Sequence, residues 1–345
     1  MWMKRYNLSN RRYIGSKAKL NDWIFENINK YTHGDSFFDI FAGTGVVSEK
    51  ALSMYTNIYI NDFLASNKVI YEAFFNHEGV DFNHLYNVVN TLNSVELDCI
   101  EENYFSDKFG GKYFGNTDAR RIGYIRESLD EMLSNGDISK KEFYVLLASL
   151  IYSMDKIANT VGHYEAYIKS GVLDNIFKMG LINPIDTKNR RVSIFQEDSN
   201  VISRKIKSDI VFIDPPYNSR QYSRFYHVIE NLVTWKKPDL FGVALKPIED
   251  PSTMSDYCRN NAPAVFDDLI SSLNCRFIVV TYNNTYNSRS SSSKNKISLE
   301  QIKASLDKVG KTRVLNRSHK FFNTGKTDFK DHQEYLFITE VDKNE

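Results

Sequence analysis

The stretch Asp209-Ile210-Val211-Phe212-Ile213-Asp214-Pro215-Pro216-Tyr217 narrows the fold more than any other in the chain. Val211, Phe212 and Ile213 form an unbroken apolar run. Such a run suits a strand buried on both faces, as in parallel sheets covered by helices. Two successive prolines end the strand, because neither has a backbone N–H to give to a ladder. Asp214 is thereby delivered to the edge at which open α/β sheets bind ligands. Taken alone, the run also fits an ordinary strand followed by a proline-rich turn.

Two earlier stretches point to the same architecture. Ser36-Phe37-Phe38-Asp39-Ile40-Phe41 is a short apolar strand that breaks into Ala42-Gly43-Thr44-Gly45, and a helix is expected from about Val46 to Tyr55. Strand, glycine loop and helix form the grammar of nucleotide-type cofactor sites, in which glycines let main-chain N–H groups approach a ligand. Ser48 and Glu49 follow, so the third glycine of the dinucleotide fingerprint is missing. A second strand, Asn57 to Asn61, ends in Asp62, which is placed to accept from a ribose or to cap the next helix, roles that do not exclude each other. Upstream, Arg11-Arg12-Tyr13-Ile14-Gly15-Ser16-Lys17 precedes Leu20, Trp23, Ile24, Ile28 and Tyr31 at helical spacing. Tyr13 and Lys17 flank a glycine turn. They fit a ligand-facing ring and cation, or a capped helix with a solvated lysine.

From about Glu72 to Arg191 the alternation of strand and helix stops. Ile122, Ile125, Leu129, Met132 and Leu133 mark one helix with Asp118 as its expected N-cap. Ser139-Lys140-Lys141-Glu142 is a capping-box pattern opening another through Phe143, Leu146, Leu150 and Met154. Residues 72–191 are therefore expected to be an inserted helical lobe between two parts of one core, 1–71 and 192–345. Its segments Asn103 to Asn116 and Asn159 to Lys169 are rich in aromatic, glycine and basic residues, which suits base stacking and phosphate contact, or closure of the lobe's own core. Beyond it come a strand from Val192 to Gln196 followed by Glu197-Asp198, and then the strand ending in Asp214. Phe225, Val228, Ile229, Leu232 and Val233 mark a helix, and 239–263 is irregular, a candidate flap. Strands are expected at Arg276 to Thr281, Thr312 to Asn316 and Glu334 to Glu340, about seven in all.

Composition excludes several classes. No run reaches the ~18 apolar residues of a membrane span, and Met1-Trp2-Met3-Lys4-Arg5 has no signal-like apolar core, so a cytoplasmic protein is expected. Cys99, Cys258 and Cys275 lie far apart, without zinc or disulfide spacing. With 44 basic against 43 acidic residues, a nucleic-acid partner must be argued from local clusters. Such clusters are Lys4, Arg5, Arg11 and Arg12; Lys188, Arg190 and Arg191; and Arg289, Lys294 and Lys296 beside the low-complexity run Ser288 to Ser293. Each suits phosphate contact or a solvated face. Arg220, Tyr222 and Arg224 follow Asp214 closely and are expected to project from the same edge.

With Tyr13-Ile14-Gly15-Ser16-Lys17, Asp39-Ile40-Phe41-Ala42-Gly43-Thr44-Gly45, Asp62, Asp198 and Asp214-Pro215-Pro216-Tyr217 in this order, the chain resembles the Dam-like DNA adenine N6-methyltransferases. The resemblance implies a Rossmann-like class I methyltransferase fold, with a mostly parallel sheet and an antiparallel C-terminal hairpin strand. It implies S-adenosylmethionine as cofactor, held by Asp39, Phe41, Gly43 and Gly45 with Tyr13 and Lys17 closing over it, Asp62 on the ribose and Asp198 on the adenine. It also places target recognition in the inserted lobe, with DNA contacts expected from Arg190, Arg191, Arg220, Tyr222 and Arg224. The implied partners are double-stranded DNA and a cognate restriction endonuclease, for a chain acting as a monomer or weak dimer. Ile40 replaces a proline common in close Dam relatives, and the lobe is long.

The implied reaction needs no metal. An exocyclic adenine amine is a poor nucleophile, and Asp214 with the Pro215 carbonyl can accept its two N–H bonds while Pro216 keeps the loop rigid. Tyr217 offers a stacking face to a flipped base, an interaction worth roughly 1–3 kcal/mol. Methylation of an RNA adenine is the enzymatic alternative, and a catalytically silent DNA-binding subunit is the alternative of another class. Protein glutamine methylation usually has Asn where this chain has Asp214.

Overall fold

The computed structural model describes residues 3–169, 175–284, 294–318 and 332–342; Arg289 and the run Ser288 to Ser293 lie outside them. Seven strands form the main sheet: β1 Ser36–Asp39, β2 Asn57–Asn61, β3 Arg191–Phe195, β4 Ile210–Ile213, β5 Phe277–Asn283, β6 Gly310–Ser318 and β7 Gln333–Val341, in the order β6-β7-β5-β4-β1-β2-β3. Strands β3, β2, β1, β4 and β5 are mutually parallel, and β7 runs antiparallel to both β5 and β6. This is the mostly parallel α/β sheet with an antiparallel C-terminal hairpin strand expected from the sequence.

The sheet is held by burial. All four residues of β4 are at most 1% exposed. Each large apolar side chain among them contributes about 1.5–3 kcal/mol on removal from water. Register then fixes what stands at the edge. Asp39 pairs with Ile60 and Phe212, and Ile213 pairs with Val280, so β1, β2 and β4 end within a residue of one another and β5 runs three residues further at the same edge. At the opposite edge the Asp209 carboxylate accepts from the Asp35 N–H (2.8 Å), the Ser36 N–H (3.1 Å) and the Ser36 hydroxyl (2.9 Å), tying β4 to β1. Gly34 makes room for it, since a Cβ there would sit 2.2 Å from the Asp209 Cβ. The helix after the glycine loop covers only Val46–Ala51, not 46–55 as expected. Ser53 and Met54 bond three residues back, which tightens its end into a turn before β2.

The chain divides into two compact units. The sheet unit comprises Ser16–Phe63, Thr187–Tyr222 and Pro251–Glu345, and the helical unit comprises Met1–Gly15, Leu64–Asp186 and Ser223–Asp250. In the helical unit, Lys140–Ile157 begins with the predicted capping box: Ser139 Oγ accepts from the Glu142 N–H (3.3 Å), and Glu142 Oε2 accepts from the Ser139 N–H (2.8 Å). Asp118 is not an N-cap. Its helix starts at Asn116 after Gly115, and the buried Asp118 carboxylate instead accepts from the backbone N–H groups of Asn175 (2.6 Å) and Phe177 (2.9 Å). Nor does Asp62 cap the helix Ala65–Phe75. The Glu230 carboxylate receives the Ala65 and Ser66 N–H groups (3.2 and 3.0 Å).

Two small sheets carry too little periodicity to read from sequence. Arg5–Tyr6 pairs in parallel with Leu181–Ile182, and Leu240–Phe241 pairs antiparallel with Lys246–Pro247 inside the segment expected to be irregular. Pro263 falls in the first turn of the helix Ala262–Ser272, where its missing N–H costs nothing. The single helix expected around Phe225 to Val233 is two, Tyr222–Phe225 and His227–Thr234, interrupted at Tyr226 (φ −113°, ψ 22°). Among the described residues no helix is long and apolar enough to cross a membrane.

Asp118→Ala removes the acceptor of two backbone donors, of which the Phe177 N–H is buried. Urea denaturation is expected to show a loss of about 1–3 kcal/mol. Stability unchanged from wild type would show that Asp118 does not anchor the 175–177 segment.

Candidate active site

Asp214 stands one residue beyond β4, and one of its oxygens is heavily subscribed. Oδ1 accepts from the Tyr217 hydroxyl (2.6 Å), the Thr281 hydroxyl (2.8 Å) and the Lys17 ammonium (2.9 Å). No described residue donates to Oδ2, and none donates to the Pro215 carbonyl. Two acceptors, one anionic and one neutral, therefore stand on adjacent residues at the sheet edge.

Each partner is placed by a different element. Thr281 comes from β5, beside β4. Lys17 comes from the segment before the helix Asn21–Tyr31 and is 6% exposed. Burial works to lower the Lys17 pKa, but the carboxylates of Asp214 and Glu334 outweigh it and the net shift is upward, so the side chain is firmly cationic. Tyr217 closes the loop back on Asp214. Its ring lies 4.3 Å from that of Tyr282, and the Lys17 Nζ is 5.0 Å from its centre. Burial, with Asp214 nearby, pushes the Tyr217 phenol well above its ordinary range, so it is a donor.

The glycine loop lies at the end of β1. Gly43 and Gly45 adopt φ of +53° and +77°, conformations that favour glycine. Asp62, at the end of β2, accepts from the Gly43 N–H at 2.9 Å and so braces the loop. Asp39 is 1% exposed, and its Oδ2 accepts from the Ser48 hydroxyl at 2.7 Å. Its Oδ1 is buried and takes no hydrogen bond among the described residues. Burial pushes the Asp39 carboxyl up to about 7, against the bond from Ser48 and with help from the charges of Asp214 and Asp62. Phe41 meets the Tyr257 ring edge-on at 5.0 Å. Asp198 caps the short helix Ser199–Ile202 by accepting from the Asn200 and Val201 N–H groups (2.9 and 3.2 Å).

The remaining residues singled out in the sequence do not all gather there. Tyr13 belongs to the helical unit, where its ring lies parallel to Tyr226 at 4.7 Å and under the Arg11 guanidinium. Arg224, also in that unit, pairs with Glu249 at 2.6 Å. Arg220 and Tyr222 lie in the sheet unit, on the loop after Asp214. Arg191 opens β3 opposite Asn57, so it and Arg190 stand at the edge where the parallel strands begin. About 13 Å of strand separates them from the carboxylate edge. Thr281, Ser48 and Glu334 were not singled out. Their signal was faint: a polar residue closing or opening an apolar strand, or one turn into a helix.

A family model described as D12 class N6 adenine-specific DNA methyltransferase matches residues 13–287. The chain is 32% identical over 342 residues to the type II methyltransferase M.CviAII of Paramecium bursaria Chlorella virus 1, covering 96% of this chain and 98% of the relative. It is 27% identical over 357 residues to the type II methyltransferase M.NlaIII of Neisseria lactamica, covering 95% and 98%. It is 32% identical over 287 residues to the modification methylase StsI of Streptococcus sanguinis, covering 79% of this chain and 44% of that longer protein.

The raised Asp39 pKa makes stability depend on pH. The folded chain holds a proton there up to about pH 7, while the unfolded chain loses it near the ordinary value of 3.8, so stability falls as pH rises between these values. The slope from this group is roughly 1.4 kcal/mol per pH unit. Asp39→Asn is expected to remove it, giving a flatter curve of melting temperature against pH over that window; an unchanged curve would contradict the assignment.

Proposed function

Because the chain belongs to the D12 class N6 adenine-specific DNA methyltransferase family, we propose that it transfers the methyl group of S-adenosylmethionine to the N6 amine of an adenine flipped out of duplex DNA. The observation that carries this reading is the pair of acceptors that take no hydrogen bond among the described residues, Asp214 Oδ2 and the Pro215 carbonyl. An N6 amine has two N–H bonds to give. Accepting both withdraws its lone pair from the ring and directs it outward.

The residues at the end of β1 fit the cofactor. Asp39 offers a buried oxygen in need of a donor, and the loop through Gly43 and Gly45 permits close backbone approach. Asp39, Phe41, Gly43 and Gly45 would hold its amino-acid end, with Asp62 and Asp198 toward the nucleoside. When bound, S-adenosylmethionine supplies a methyl group made electrophilic by its sulfonium.

The chain's own part is positioning and charge. Lys17, Thr281 and Tyr217 all donate to one oxygen of Asp214. It serves as an anchored acceptor whose second oxygen is aimed by the first. Methyl transfer would place positive charge on N6, and the carboxylate beside it would stabilise that charge until the nitrogen gives its proton to solvent. Near-attack alignment of this kind can supply up to ~7–11 kcal/mol. Arg220, Tyr222 and Arg224 are the proposed DNA contacts, and the helical unit is the proposed reader of sequence. Relatives named as type II and modification methylases support a place in DNA protection beside a restriction endonuclease.

Asp214→Ala is expected to abolish transfer of labelled methyl to duplex DNA while cofactor affinity, read by calorimetry, changes little. Because that change leaves Lys17 buried without its partner, the double variant Lys17→Met/Asp214→Ala removes both charges and serves as the folding control. Transfer retained by either variant would contradict the mechanism.

A further inference from the structure

Thr281 and Glu334 share one face of the sheet. Cross-strand partners face the same way, and alternate residues of a strand return to that face. Glu334 pairs with Asn283 and Leu336 pairs with Thr281, so Glu334 stands one pleat beyond the threonine that donates to Asp214. It reaches this edge because β7 is antiparallel: the parallel strands bring their last residues here, and β7 brings its first. Glu334 is 6% exposed. Its Oε1 lies 3.5 Å from His332 Nε2, while its Oε2 is buried and takes no hydrogen bond among the described residues. The Lys17 cation feels Glu334 as well as Asp214.

We infer that Glu334 is a positioning residue for methyl transfer, a second buried carboxylate on the sheet face of Thr281 whose charge offsets that of Lys17. This rests on the methyl-transfer reading of the Asp214 edge and deepens it. Paired only with Lys17, the Asp214 charge is cancelled, and the edge offers little to the positive charge that builds on N6. A second buried carboxylate offsets the ammonium, so that less of the Asp214 charge is spent on Lys17 and more of it faces the positive charge that the reaction moves onto nitrogen. Glu334 touches neither reacting atom; it acts through Lys17.

The test is Glu334→Gln, which keeps shape and removes charge, read beside Glu334→Asp. Single-turnover transfer to duplex DNA is expected to slow by roughly tenfold or more in the Gln variant, the scale of one lost charge contact, with cofactor affinity and melting temperature near wild type. The Asp variant is expected to recover most of the rate. In the absence of DNA and cofactor, acetylation of Lys17, followed by peptide mass spectrometry, is expected to become faster in the Gln variant, because the amine loses a charge that holds its proton. A wild-type transfer rate in a folded Gln variant would overturn the inference. So would a slower rate with Lys17 labelling unchanged, which would leave Glu334 a purely structural role beside His332. The labelling needs no turnover, so it reports on the Lys17 pairing even if wild-type chain transferred no methyl, the separate result that would sink the methyl-transfer reading.

Discussion

Lys17 and Asp214 form an ion pair largely withdrawn from water, 6% and 16% exposed, and the arrangement of the sheet edge follows from it. Charges so placed lose hydration worth several kcal/mol each, and removing one partner of such a pair typically costs 3–5 kcal/mol. The protein meets that cost by surrounding one oxygen: Thr281 and Tyr217 add hydrogen bonds to Oδ1 beside the ammonium. A carboxylate gripped on one side has no freedom to rotate. Its other oxygen is therefore aimed, which a solvated aspartate would not be.

Sheet topology makes the convergence possible. Five parallel strands point the same way, so Asp39, Asp62, Asp198 and Asp214 stand at or after the ends of successive strands at one edge, each bent to a different task. Asp62 braces the glycine loop, Asp198 caps a helix, Asp39 keeps one oxygen without a donor among the described residues, and Asp214 is anchored. The reversed strand β7 adds Glu334 from the other direction. The helical unit has its own buried polar ties, such as Asp118 on the 175–177 backbone and Glu230 on the start of Ala65–Phe75.

Much of this was legible before the structure. The run Val211 to Ile213 with its two prolines identified β4 and the residue at its tip, and the glycine loop identified β1, because both signals are local and chemical. The capping box at Ser139 was legible for the same reason. What escaped depends on residues distant in sequence. Asp118 and Asp62 each look like a cap, and each was drawn to another donor: Asp118 to the 175–177 backbone and Asp62 to Gly43. Lys17 reads as a ligand-facing cation until Asp214, far along the chain, is brought to it. Arg190 and Arg191 read as a basic cluster, yet strand direction sets them at the edge where the sheet begins. Thr281 and Glu334 are ordinary residues in ordinary strands until register places them beside the ion pair.

The central claim is that Asp214 presents one oxygen to the target amine because the other is held. The most direct measurement is a crystal structure of the chain with sinefungin and a duplex containing the recognised adenine. The account predicts the N6 nitrogen within about 3 Å of both Asp214 Oδ2 and the Pro215 carbonyl oxygen. Lys17, Thr281 and Tyr217 should remain on Oδ1 in that complex. An adenine bound with its amine away from Asp214, or an Asp214 released from Lys17 to meet the base through Oδ1, would contradict it.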